Sequence, residues 1–408
     1  MNATQDSQPT RVLYSFPHKI GAARICTTAW YEAAEASAAG ASMLVYAGAV
    51  HKALPAGIRV RTTLARGPVR LPYRAVGRVR ALALHDLIVS RRLPKIANEI
   101  DLVHVWPLAA SRTLKVASSL GIPTVLERPN AHTRFAYTVV KAECERLGIT
   151  LPPTHEHAYS DEILQMEENE YELADYLLCP SDFVVKTFVD EGVPPEKLLR
   201  YIYGFEPATF FPPPEPRAAR EGLIAVEVGV AAVRKGQHLA LEAWLRSSAS
   251  SAGRFTIVGD FLPEYRELLS EELAHPSVEA LGHRADVAEL MRASDILLLP
   301  SLEEGFGLVC TEAMACGCVP VVSDACTDLC RHMENALVHP AGDVDTLTKH
   351  LTLLNEDRGL LERLRAGALA TAAESTWEKA GVVLLDTYRR AIRQGTRDLP
   401  GAASSSSA

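Results

Sequence analysis

No apolar run in this chain approaches the roughly 18 residues that a membrane-crossing helix needs. The strongest, Ile296 to Leu299, has the length of a buried strand. Cysteine is sparse, at eight in 408 residues. That is too few for a disulfide scaffold, and a chain this long can build its core without covalent staples. Basic residues are in deficit, 42 against 50 acidic ones for a formal charge of −8, which argues against a protein built around nucleic acid. The first ten residues are polar and carry Asp6, so they lack both the basic and the apolar segment of a signal peptide. A cytoplasmic location is the expectation. With 48% hydrophobic and 23% charged residues, disorder is excluded except at the ends, where the Ser/Ala-rich stretch from Gly401 to Ala408 is expected to be disordered.

What the chain does have is alternation. Short β-branched runs follow longer amphipathic ones, the signature of α/β units on parallel sheets. Strands are expected at Arg11 to Phe16, Met43 to Tyr46, Leu102 to Trp106, Thr124 to Glu127 and Tyr176 to Cys179, with a turn from Pro17 to Gly21. Helical patterns fill the gaps, notably Ala81 to Ala97, Thr133 to Leu147 and Glu162 to Ala174. The proline cluster from Phe210 to Pro216 can neither continue a helix nor sit in a central strand. Beyond it the alternation restarts with strands at Leu223 to Val228, Phe255 to Val258, Val278 to Leu281, Ile296 to Leu299 and Val319 to Val322. Two α/β domains of about 200 residues each account for this pattern.

The most informative segment is Pro300 to Ala315, with Glu304, Gly305, Phe306, Gly307 and Glu312 inside it. It leaves a strand at Leu299, turns through two glycines and enters a helix near Gly307. Free backbone N–H groups and a positive dipole end then lie at the carboxyl edge of a parallel sheet, where a nucleotide diphosphate is the natural guest. Glu304 sits in the turn beside the reacting group, and Glu312, deeper in the helix, can reach ribose hydroxyls. Taken alone, two glutamates on an ordinary strand–turn–helix surface explain the pair equally well.

The spacing Glu-x7-Glu inside Pro-Ser-x-x-Glu-Gly-Phe-Gly, followed by Glu-Ala-Met-Ala-x-Gly-x-x-Pro-Val, resembles the retaining family 4 glycosyltransferases of the GT-B fold. That resemblance implies two Rossmann-like domains facing across a cleft. The acceptor-side domain would take residues 1–205 and the nucleotide-sugar donor domain 206–380, with a helix returning to the first domain within 381–408. It implies donor contacts at Gly229, Gly259, Gly282, His283, Gly305, Phe306, Gly307, Leu308 and Glu312. Lys235 falls on the family's diphosphate-gripping lysine. The arginine usual directly after the first glycine is replaced by Val230, and Arg234 is the candidate to supply its charge, since a guanidinium binds phosphate oxygens in bidentate fashion. On the first domain, Gly21 and Arg24 occupy the place of the glycine-rich acceptor loop. His132 follows the strand near which the family often places a histidine, and a satisfied loop histidine is the equal alternative.

Between Gly57 and Lys95 the chain carries Arg59, Arg61, Arg66, Arg70, Arg74, Arg78, Arg80, Arg91, Arg92 and Lys95, with Asp86 as the sole acid. This asymmetry suggests an anionic partner: a lipid surface, a lipid-phosphate acceptor or a charged glycan. A solvated basic face is the other reading. Nucleic acid is disfavoured, because only Tyr73 is there to stack on a base. Cys316, Cys318, Cys326, Cys330 and His332 lack the paired spacing of a zinc knuckle, and His155-Glu156-His157 reads as a loop. No metal and no cofactor are expected.

The implied reaction is transfer of a sugar from a UDP- or GDP-sugar to a glycan, lipid-linked or small-molecule acceptor, with front-face retention, in cell-envelope or exopolysaccharide biosynthesis. Glu304, Lys235, Arg234 and His132 are the candidate catalytic residues. Two other readings stay open: a catalytically silent sugar-nucleotide-binding homologue, to which Val230 gives weight, and a sugar-nucleotide epimerase or glycogen-type synthase on the same fold. The protein would be cytoplasmic, with possible attachment to the inner face of the membrane.

Overall fold

A computed structural model of the chain describes residues 8–66, 69–70, 77–215 and 221–395. Asp6, Tyr73, Arg74, Pro216 and the Ser/Ala tail, all weighed above, lie outside them. The strands are β1 (Arg11–Ile20), β2 (Ser42–Val50), β3 (Arg59–Thr62), β4 (Ala65–Arg66), β5 (Val69–Arg70), β6 (Leu102–Val105), β7 (Thr124–Glu127), β8 (Tyr176–Cys179), β9 (Leu198–Arg200), β10 (Ile224–Val228), β11 (Arg254–Val258), β12 (Val278–Gly282), β13 (Ile296–Leu299), β14 (Val319–Ser323) and β15 (Leu337–His339). The helices are α1 (Ile25–Ala38), α2 (Arg78–Arg92), α3 (Ser111–Ser119), α4 (Thr133–Leu147), α5 (Asp161–Leu173), α6 (Asp182–Asp190), α7 (Gln237–Arg246), α8 (Pro263–Leu268), α9 (Ser270–Leu273), α10 (Val287–Ala293), α11 (Leu308–Ala315), α12 (Val344–Glu356), α13 (Arg358–Ala373) and α14 (Trp377–Gly395).

Two parallel sheets organise these elements, in the orders β3-β2-β1-β6-β7-β8-β9 and β12-β11-β10-β13-β14-β15. Helices cover both faces of such sheets, so central strands are apolar throughout rather than alternating. Accordingly β6, β7, β8 and β13 are buried at every position. His104 in β6, Glu127 in β7 and Glu227 in β10 break that rule, being fully buried polar groups within central strands. In each sheet the order reverses beside one strand, β1 in the first and β10 in the second. Ligands of open α/β sheets bind outside the carboxyl ends at such switch points.

Two local expectations change. The turn foreseen at Pro17 is a continuation of β1, which stays paired with β2 as far as Ile20 and Val50. A register shift between Phe16 and Lys19 accommodates the proline. The helix foreseen to Ala97 ends at Arg92, where Pro94 opens a separate short turn over Leu93–Lys95.

The chain crosses between the sheets twice, after β9 and again before α14, and the two crossings meet where Phe205 bridges Thr376. Helix α14 then lies on α1. At Gly381 a Cβ would fall 2.5 Å from Glu35 Cβ, so glycine permits this close approach of two helices. Trp377 stacks on Tyr31 with ring centroids 5.0 Å apart, and Leu384, Leu385 and Tyr388 join the core of the first sheet.

Candidate active site

Strand β10 ends at Val228, and Gly229 (φ 149°) starts a loop that closes in a single 3-10 turn over Val233–Lys235. Gly236 is left-handed at φ 75°, and a Cβ there would sit 2.3 Å from the Pro300 carbonyl oxygen. Only glycine lets this loop lie against the end of β13. The Leu302 amide donates to the Arg234 carbonyl at 2.9 Å, tying the loop after β10 to the loop after β13. Alongside, the Gly229 amide donates to the Val258 carbonyl and the Gly259 amide to the Gly282 carbonyl, each at 2.9 Å. A Cβ on Gly259 would fall 1.7 Å from the Gly229 carbonyl oxygen. Three strand ends thus form one tight glycine floor, with His283 exposed at its margin.

On this floor stand two cations and two carboxylates. Arg234 Nη1 donates to the Glu303 carbonyl at 2.7 Å and lies 3.4 Å from Glu303 Oε2 and 3.3 Å from Glu304 Oε2. Lys235 Nζ bonds Glu304 Oε2. Burial alone would raise the Glu304 carboxyl, but Lys235 and Arg234 outweigh it and hold it at about 2. Burial likewise opposes ionisation of Glu303, and His157 and Arg234 overcome it, leaving that carboxyl below its ordinary value. The two carboxylates and the two cations thus balance one another in one cluster.

The segment 303–306 reaches across to the first domain. Glu303 Oε1 accepts from the Ala131 amide at 3.1 Å, and its Oε2 stands 3.4 Å from His157 Nε2. Ser181 Oγ donates to the Gly305 carbonyl at 2.6 Å, and a Cβ on Gly305 would fall 1.6 Å from the Pro129 carbonyl oxygen. The Phe306 ring is buried in the first domain's core, 5.4 Å from Tyr203. Gly307 (φ 67°) then begins α11 without any side-chain cap, so the helix start, with Leu308 in its first turn, keeps unsatisfied N–H donors and a positive dipole end. One turn further, Glu312 is half-buried and its carboxyl forms no hydrogen bond or ion pair with another described residue. Burial pushes its carboxyl up to about 7.

The structure brings Arg234, Lys235 and Glu304 together and sets Glu312 on the helix that starts beside them. Gly21 (φ 75°) ends β1, and Arg24 is exposed at the start of α1. His132 caps α4: its Nδ1 accepts from the Arg134 amide at 3.3 Å, its amide donates to Thr187 Oγ1, and its ring lies edge-on to Tyr171 and Phe188. Burial, then Arg128, lowers its pKa to about 4. Glu303 was not singled out from the sequence, and His157 was weighed there only as part of a loop. They meet only because two domains face each other, a contact no spacing encodes. The cysteines from 316 to 330 form no convergent ligand set among the described residues.

Residues 223–357 match the family model described as glycosyl transferases group 1. The D-inositol 3-phosphate glycosyltransferase of Xylanimonas cellulosilytica is 33% identical over 163 residues, 39% of this chain and 38% of that protein. The first curated relatives are matched over 24% to 42% of their own length. Among solved structures, sucrose-phosphate synthase from Thermosynechococcus elongatus superposes with a TM-score of 0.70 at 18% identity, over 95% of this chain and 100% of that one. HepE of Anabaena in complex with UDP gives 0.65 at 17%, over 94% and 100%. These likenesses establish the fold as GT-B.

Proposed function

We propose that this chain, which carries a glycosyl transferases group 1 domain on a GT-B fold, is a retaining glycosyltransferase that moves a sugar from a nucleotide-sugar donor to an anionic or lipid-linked acceptor. The observation that carries this reading is the balanced cluster of Arg234, Lys235, Glu303 and Glu304 at the uncapped start of α11. Diphosphate oxygens entering here would take Lys235 and the helix N–H groups as donors, releasing Glu304 to accept hydroxyls of the donor sugar. Charge grows on the diphosphate as its bond to the sugar breaks, so fixed donors stabilise the transition state more than the ground state. The acceptor oxygen forms the new bond on the same face, and its proton passes to the departing phosphate oxygen. The Glu312 carboxyl, with no polar partner among the described residues, would hold the ribose diol. Closure of the cleft would exclude water.

The name of the relative from Xylanimonas includes a phosphate-bearing acceptor, and UDP is bound in the HepE structure. Both fit a UDP- or GDP-sugar donor and an acceptor drawn by positive charge. In this chain Arg61, Arg78, Arg80, Arg91, Arg92 and Lys95 are exposed on β3, α2 and the turn after it. Arg59 is paired with Glu99 at 2.8 Å. Asp86 is buried and caps α3 through the Arg112 and Thr113 amides, so it neutralises none of this surface. Among the described residues no helix is long and apolar enough to cross a membrane, and contact with an anionic membrane face would run through these arginines.

Incubation with UDP- and GDP-sugars, with nucleoside diphosphate release followed with and without acceptor, tests the reading. Release slowed about 100- to 1000-fold by Lys235→Ala is the expected result. Tight donor binding with no release from the native protein would support the silent homologue, which the exposed Val230 favours.

A further inference from the structure

We propose that Glu32, His104 and Glu127, inside the first domain and apart from the cluster described above, form a buried site for one divalent transition-metal ion of the zinc class. Helix α1 supplies Glu32, β6 supplies His104 and β7 supplies Glu127, and each side chain is completely buried. One ligand atom from each lies within 4.8 Å of the others.

Each residue is anchored at one polar atom, and the other three atoms face one another. The Tyr14 hydroxyl donates to Glu32 Oε2 at 2.6 Å, the Tyr203 hydroxyl donates to Glu127 Oε1 at 2.5 Å, and His104 Nδ1 and the Tyr388 hydroxyl share a hydrogen bond of 2.7 Å. Trp106 Nε1 in turn donates to the Tyr14 hydroxyl. The remaining atoms, Glu32 Oε1, His104 Nε2 and Glu127 Oε2, have no hydrogen-bond partner. An outer partner that fixes a ligand's orientation while leaving its inner atom free is the second-shell pattern of metal sites. His104 Nε2 and Glu127 Oε2 stand 3.1 Å apart. Two ligands bound to one ion at zinc-like bond lengths stand about 2.9–3.4 Å apart.

Charge points the same way. Neither carboxylate pairs with a lysine or arginine among the described residues. A divalent cation neutralises the two together. The nitrogen and oxygen donor set suits zinc, manganese or ferrous iron rather than calcium or magnesium. Such an ion would bind only the His104 tautomer with its proton on Nδ1, donated to Tyr388. It would thereby connect the first sheet and α1 to Tyr203 of the interdomain crossing and to Tyr388 of α14.

The test is metal content by mass spectrometry on full-length protein purified without chelator, read beside the melting temperature. The expected result is one ion per chain, lost from Glu32→Gln, whose amide oxygen still accepts from Tyr14. Extraction with 1,10-phenanthroline should lower the melting temperature of the native protein, and Zn2+ should restore it, as stabilisation by a native-state ligand requires. Nitrogen-15 spectra should show His104 protonated at Nδ1. Protein that stays metal-free after refolding with Zn2+, Mn2+ or Fe2+, with the proton on Nε2 facing Glu127, would overturn the proposal and leave a proton-sharing triad.

Discussion

Lys235 and Arg234 are neighbours that differ in what they would cost if removed. Among the described residues Lys235 Nζ pairs with Glu304 alone, so Lys235→Ala leaves that buried carboxylate to Arg234 at some cost in stability and should lower kcat by about 100- to 1000-fold, with a smaller change in KM. Steady-state kinetics with the cognate donor checks this. Arg234 also holds the carbonyl and carboxylate of the fully buried Glu303. Arg234→Ala should therefore cost about 3 kcal/mol of stability as well as turnover, because it strips a partner from a buried charge; urea unfolding is the measurement. Glu312 brings a pH dependence. With its carboxyl at about 7 through burial, only the ionised form offers two acceptors to a ribose diol, so nucleotide affinity should weaken as pH falls from 8 to 6. Calorimetric titration with UDP should show that slope in the native protein and a flat profile in Glu312→Gln. Glu304, held at about 2, contributes no slope in this window. Its stabilising effect is present above the ordinary value of 4.5 and is lost only as pH falls toward 2.

Among the elements, legibility followed burial. Strands β8 and β13 coincide with apolar runs because both faces are covered, and α4 begins and ends where its cap residue and the left-handed Gly148 place it. The three-residue strands β9 and β15 and the exposed edge strand β3 carry too little pattern to stand out. In the site, Glu304 and Lys235 were legible because each sits in a local motif, the strand–turn–helix at 300–315 and the loop after β10, that resembles a known family, although the two meet across 69 residues. Glu303, His157 and the Glu32–His104–Glu127 group were not, since each contact joins elements distant in sequence. The basic elements give their own prediction. Replacing Arg78, Arg80, Arg91 and Arg92 with serine should abolish low-salt binding to anionic vesicles while UDP affinity stays unchanged. Each charge near such a surface contributes about 1 kcal/mol, screened over roughly 8 Å at physiological salt. Sedimentation with neutral and anionic vesicles reads the outcome, and equal binding to both would point to a soluble acceptor.

In the whole molecule, the first domain is finished by the end of the described chain. Gly381→Val would drive a side chain into the Glu35 backbone and should lower stability by about 1–3 kcal/mol through overpacking. UDP affinity of the folded fraction, set by the other domain, should not change, and thermal melts run with and without UDP separate the two effects. The same seam makes the order of synthesis matter. Strand β9 completes the first sheet at Arg200, but α14 begins only at Trp377. At translation rates of roughly 5–20 residues per second, that interval lasts about 9–35 s. During it, the apolar cluster shared by Ala33, Ala36, Leu384, Leu385 and Tyr388 lacks its last three members. The later domain has time to fold before the earlier one can close, so a nascent chain at this stage offers chaperones a first domain with an open flank.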